Sequence, residues 1–150
     1  MKRRRYYGIF VAASLSLTML LFAACGGEKG KAAVKESGRQ LLVLEGVKSG
    51  GSVADALESL KKDGALTYGG TVDGLGGVFI TSVNGYTADS ENHEFWAIFT
   101  TLEEYEGVFY SSTEFGTYEY GGVTLGSAYY GVSGLPLVQG ELYVFTIMTW

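Results

Sequence analysis

Apolar positions follow three different patterns in succession along this chain. From Ile9 to Phe22 they run almost without a break, directly behind Lys2-Arg3-Arg4-Arg5. From Gly26 to Gly38 the chain is small, polar and mixed in charge with no apolar period, which is the composition of a flexible tether. From Gln40 onward, short β-like runs rich in Val, Phe and Tyr are separated by glycine-containing breaks. One stretch there has helical spacing: Val53, Leu57 and Leu60 fall at i, i+4 and i+7 and share a face. Ser52 supplies an N-cap and Asp55 the third-position partner of a capping-box arrangement. Lys61-Lys62 suit the negative C-terminal end, and Gly64 offers a left-handed stop. The spacing predicts a helix over 52–62.

The rest of the domain reads as strands. Leu41–Leu44 is a short apolar run, and Val78–Val83 is β-rich and ends at the tight-turn dipeptide Asn84-Gly85. Glu94–Thr101 carries Phe95, Trp96, Ile98 and Phe99, bulky on both faces. Val108–Tyr110 is a further short strand, and 118–120 and 123–125 form a hairpin about Gly121-Gly122. Leu142–Met148 alternates Leu142, Val144 and Thr146 against Tyr143, Phe145 and Ile147. One helix packed on a mainly antiparallel sheet gives an α+β layer, with the helix covering one sheet face.

The basic n-region, the apolar run and the small pair Ala23-Ala24 lead into Cys25, the chain's single cysteine. Leu21-Phe22-Ala23-Ala24-Cys25 resembles the lipobox of exported lipoproteins, with Phe22 where that family usually has Leu. The apolar run is slightly shorter than the ~20 residues that cross a hydrocarbon core, which favours cleavage over permanent insertion. Residues 1–24 are therefore expected to be a signal peptide, 25–39 a lipid anchor on Cys25 plus tether, and 40–150 one domain. The expected location is the extracytoplasmic face of the cell membrane. Two or more acyl chains on Cys25 give stable anchoring. One cysteine permits no intrachain disulfide, so stability has to come from the core.

Charge sharpens this picture. Cleavage before Cys25 removes four of the eleven basic residues and takes the formal charge from −5 to −9. No Lys or Arg follows Lys62, whereas Asp63 to Glu141 contribute eleven carboxylates. Such a surface repels phosphate backbones and excludes nucleic acid as a partner class. It suits neutral or cationic ligands, and equally suits simple solubility.

Three segments together resemble a known family. Val47-Lys48-Ser49-Gly50-Gly51-Ser52-Val53, running into Ala54–Glu58, is similar to the start of the helix in the C-terminal domain of transcobalamin and intrinsic factor. Gly77–Gly85 is similar to that domain's central strand and turn, and Glu94-Phe95-Trp96 fills the place of its Tyr-Trp or Phe-Trp pair. Tyr130–Ser133 with Gly140–Phe145 looks like its closing segment. The resemblance spans about residues 40–148 and implies a β-grasp-like fold. In the vertebrate carriers this domain packs over one face of cobalamin, opposite a helical domain that this chain lacks. Leu102–Tyr120 is also longer and richer in Tyr and Glu than the usual pattern.

Candidate ligand-binding residues follow from chemistry and from this resemblance. Phe95 and Trp96 are adjacent on a strand, so one is expected inside and the other outside, where an aromatic ring serves as a platform for a flat ligand. Tyr86, Tyr129 and Tyr130 lie beside turn residues, where each ring offers a surface and a hydroxyl. Core packing is the competing reading for all five. His93, the sole histidine, is either an axial ligand to a cobalt centre or a solvated loop residue. Asp89, Glu91 and Glu94 lack the spacing of a calcium loop and read as a solvated acidic loop. Glu103-Glu104 and Glu106 could supply paired carboxylates for glycoside hydrolysis, but clustered so closely in sequence they read as one exposed acidic strip. No nucleophile motif, Cys-His pair or phosphate loop is present, because Asp73–Gly77 is not followed by Lys-Ser/Thr. The expectation is a non-enzymatic, surface-tethered small-ligand-binding lipoprotein that requires no cofactor or metal. Its ligand would be cobalamin or a related corrinoid, delivered to a vitamin importer. The alternative is a structural or protein-interaction module that presents a sheet edge at the cell surface.

Overall fold

The computed structural model describes residues 32–38, 40–46, 49–72, 74 and 77–150. The expected signal peptide, Cys25, and residues 47 and 48 of the family-like helix start lie outside the described residues. Strands β1 (Ala33–Ser37) and β2 (Leu41–Glu45) precede helix α1 (Val53–Lys62). Strands β3 (Tyr68–Val72), β4 (Val78–Val83) and β5 (Tyr86–Thr87) follow. A single 3₁₀ turn at Ser90–Asn92 leads into β6 (Glu94–Thr100). Then come β7 (Glu104–Tyr105), β8 (Val108–Phe109), β9 (Ser111–Tyr120), β10 (Val123–Ala128) and β11 (Leu142–Thr149). Six strands form the main sheet in the order β1-β2-β11-β6-β10-β9, β3-β4-β5 form a smaller sheet, and β7-β8 pair alone. All these pairings are antiparallel, and the chain is α+β.

One boundary differs from the sequence reading. Residues 33–37, expected within the tether, form β1 and pair with β2 from Ala33↔Glu45 to Ser37↔Leu42. Only Val34 of this strand turns toward the core, so no apolar alternation marks it. Backbone pairing holds β1 in place, and its charged side chains are of the kind that protect a sheet edge from further pairing. Lys35 meets Glu45 of β2 at 3.7 Å, an exposed pair that adds little.

Helix α1 has the predicted face and caps. Val53, Ala56, Leu57 and Leu60 are buried against the sheet. Asp55 N–H donates to Ser52 Oγ at 3.2 Å, and Ser52 N–H donates back to the Asp55 carboxylate at 2.8 Å. The Ser52 N–H, and then the Ser52 hydroxyl, donating to the carboxylate hold the Asp55 carboxyl below its ordinary value. Two further N-terminal donors are taken by a distant loop: Val53 N–H bonds Leu135 O at 2.8 Å and Ala54 N–H bonds Val132 O at 3.0 Å. The start of the helix and the segment after Tyr130 are thus locked together. Gly64 takes the expected left-handed backbone, φ +72°.

The main sheet buries both faces. On the helix side, Leu42, Leu44, Tyr143, Phe145 and Trp96 pack against α1 and the β3-β4-β5 layer. On the opposite side, Val43, Val144, Ala97, Phe99 and Leu125 form a second cluster with no helix over it. The sheet covers that cluster itself, with Tyr118 and Tyr120 of β9 packed against it and Tyr118 lying 5.5 Å from the Phe99 ring.

Candidate functional site: an aromatic cleft at an opened sheet edge

The site arises where two neighbouring strands part. Strand β6 pairs with β11 along its whole length, but with β10 only at Phe99↔Ser127 and Thr100↔Gly126. Toward Glu94 the two strands diverge. Thr101 N–H bonds Leu142 O and Trp150 N–H bonds His93 O, so the odd-numbered residues of β6 direct their backbone groups to β11. Antiparallel alternation then turns the N–H and C=O of Trp96 to the opposite, opened side. A cleft of about 270 Å³ lies there, walled by β6 (95–98), β4 (78–80) and residues 127–131.

Four of the five aromatics nominated from sequence meet at this cleft: Phe95, Trp96, Tyr129 and Tyr130. Trp96 is the inward member of its pair at 7% exposure, and Phe95 is the outward member at 40%. Tyr86 does not line the cleft and is corrected to a supporting role. Its ring packs edge-on against Trp96 at 6.4 Å between centroids, and its hydroxyl donates to Glu94 Oε2 at 2.9 Å. Strand β6 makes this possible because Trp96 and Ile98 point to the helix side while Phe95 points to the other. The cleft opens at their shared strand edge, so both faces contribute. Trp96 Nε1 is buried with no acceptor among the described residues. A buried donor left unpaired costs about 1–3 kcal/mol.

Several contributors were not visible in the sequence. Phe79 of β4, 63% exposed, closes one wall of the cleft. Its neighbours Val78 and Ile80 read simply as strand residues. Beside the cleft, and sharing Tyr129 with it, is a more polar cavity of about 390 Å³ lined by Glu103, Glu114, Phe109 and residues 111–113. Phe115 packs edge-on against Tyr129 at 5.8 Å, fixing the ring that separates the two cavities. Tyr130 is held from the other side by Tyr110 at 5.5 Å. The fold places Glu103, just before β7, and Glu114 of β9 at one cavity, eleven positions apart in sequence.

The remaining candidates sit elsewhere. His93 adopts a left-handed backbone after the 3₁₀ turn, φ +59°, with its ring 5.3 Å from Trp150. Asp89 caps that turn, accepting Glu91 N–H at 3.0 Å and the Asn92 side chain at 2.7 Å. The Asn92 amide lowers the Asp89 carboxyl below its usual range. Glu94 accepts from Asp89 N–H and from Tyr86. These carboxylates are occupied by local structure, and among the described residues no three His, Cys, Asp or Glu side chains gather as a metal group. Glu104 and Glu106 lie in the exposed β7-β8 hairpin, where Glu106 takes φ +54° in the turn.

Compared with known proteins, the sequence matches no protein-family model and no curated protein.

Proposed function

We propose that this chain is a membrane-tethered binding protein whose aromatic cleft takes a flat, largely apolar ligand. One observation carries the reading: Phe95, Trp96, Tyr129 and Tyr130, separated by more than thirty residues, line one cleft at an opened sheet edge. Aromatic side chains set beside polar groups that fix orientation are how small-ligand sites are commonly built. The volume is at the low end for such sites, so a large planar ligand would enter by one edge. A β-grasp-like scaffold carrying a corrinoid is the specific form suggested by the sequence resemblance. Lipidation at Cys25 would hold the protein on the extracytoplasmic face, where captured ligand passes to an importer.

A second reading has its own support. The backbone of Trp96 faces an opened sheet edge, and Phe79, Phe95 and Trp150 stand exposed near it. An edge of that kind is suited to adding a strand from another surface protein.

Calorimetry of the full chain with cobalamin and cobinamide separates the two. Near 100 μM ligand, even a Kd of ~10 μM gives clear occupancy. The corrinoid form expects heat with both ligands and weaker binding by Phe95→Ala, with an unchanged unfolding midpoint as the check on folding. No heat with either ligand rejects the corrinoid and leaves the interaction module ahead.

A further inference from the structure

Resting on the strand-adding reading above, we infer that the guest is an extended peptide segment, apolar at alternate positions and free of acidic residues. It fills the lane that β10 leaves empty beside the first half of β6. Strand β10 follows β6 as far as Ser127↔Phe99 and then departs, so Phe95 and Trp96 have a strand neighbour, β11, on one side alone.

Three observations define the guest. Trp96 turns its backbone N–H and C=O to the empty lane, and neither meets a backbone partner among the described residues, although the residue is buried. Buried backbone groups are almost always paired. The group that satisfies a strand's N–H and C=O together is one residue of another extended chain, in the way that Gly126 meets Thr100 further along the same edge. Beside this edge lies an exposed apolar ridge. Phe95 and its partner Met148 stand in one row across the sheet, and the Trp150 ring is 5.6 Å from Phe95. Side chains of an added strand alternate between faces, so the residues on either side of the one opposite Trp96 turn toward the face that carries this ridge. That alternation sets apolar residues two apart. Charge sets the remainder. The cleft walls come from residues 78–131, a stretch with eight carboxylates and no Lys or Arg. An acidic segment is repelled there, and Lys or Arg beyond the paired residues is attracted by the summed field.

The test selects ten-residue peptides from a random displayed library on the full chain. The best binder is synthesised and titrated while the Trp96 backbone amide is followed by NMR. Selected peptides are expected to hold apolar residues two apart and no Asp or Glu. The Trp96 amide is expected to move downfield and to exchange more slowly as the peptide saturates. N-methylation is then walked along the peptide. At the one position opposite Trp96 it should weaken binding about tenfold, the scale of lost backbone hydrogen bonds, with both neighbouring positions nearly neutral. A version ending in Glu should bind more weakly than one ending in Lys, and the difference should shrink with added salt. Equal tolerance of N-methylation at every position, with the Trp96 amide still shifted, overturns strand pairing and leaves a binding surface at the cleft. Equal binding of Glu-ended and Lys-ended versions overturns the charge assignment. Selection of no peptide, or binding that leaves the Trp96 amide unmoved, removes the guest and the strand-adding reading together.

Discussion

The Tyr120 hydroxyl donates to Glu36 Oε2 at 2.6 Å, although the two residues lie on strands at opposite edges of the six-stranded sheet. In a flat sheet β1 and β9 would be about 24 Å apart, further than a tyrosine and a glutamate side chain reach together. The sheet must therefore curl until its edges approach. The curl explains how Val43, Val144 and Phe99 stay buried on the face that no helix covers. Ser127 still pairs with Phe99, and beyond it residues 128–131 part from β6 and wall the cleft.

Losing that bond should loosen the edge strand selectively. In Tyr120→Phe, hydrogen exchange of the β1 amides is expected to accelerate while β11 amides stay protected. Unchanged exchange in β1 would show that its pairing with β2 alone closes the sheet.

Gly126 sits at the irregularity in β9–β10 pairing. A Cβ there would lie 2.8 Å from the Ser112 carbonyl carbon and 3.0 Å from its oxygen, both backbone atoms that cannot rotate away. Gly126→Ala is expected to cost about 1–3 kcal/mol in urea unfolding, as overpacking does. Gly38→Ala, which meets nothing within 4 Å, is the matched control.

Leu57 is 1% exposed at the centre of the helix face. Leu57→Ala should lose about 2–5 kcal/mol. Leu57→Asp should be worse, because it adds an unpaired buried charge. Ser52→Ala, which removes only the cap, should cost about 1 kcal/mol by the same denaturation.

Tyr143 gives the alkaline limit. Burial pushes its hydroxyl up to about 12, and that group donates to Pro136 O at 2.6 Å while accepting Val138 N–H at 2.9 Å. A raised folded value favours the neutral phenol, so its contribution is complete below the ordinary tyrosine value near 10 and is lost as pH rises toward about 12. Stability should fall through that window, and the fall should be shallower in Tyr143→Phe. A wild-type protein whose unfolding midpoint is flat from pH 9 to about 12 contradicts this assignment.

Sequence carried the local elements well because their signals are local. The Ser52–Asp55 capping box, the helix face and the Asn84-Gly85 and Gly121-Gly122 turns are each set by a few adjacent residues. It did not carry β1, whose polar side chains hide a strand held by backbone pairing, nor the curl, which brings strands at opposite edges of the sheet together. For the site, aromatic chemistry was enough to nominate Phe95, Trp96, Tyr129 and Tyr130. Phe79 was out of reach because only tertiary packing brings β4 against β6. Tyr86 was misplaced because neighbouring a turn says nothing about which side of Trp96 a ring will occupy.

The most direct measurement is the indole N–H resonance of Trp96 during titration of the full chain with cobinamide, with Trp150, which packs on Phe95 outside the cleft, as the internal comparison. The account predicts a saturable shift at Trp96 that weakens in Tyr129→Ala, a variant of a half-exposed ring. Trp96 unmoved at saturating ligand, or a shift at Trp150 alone, contradicts a binding site at the opened edge of β6.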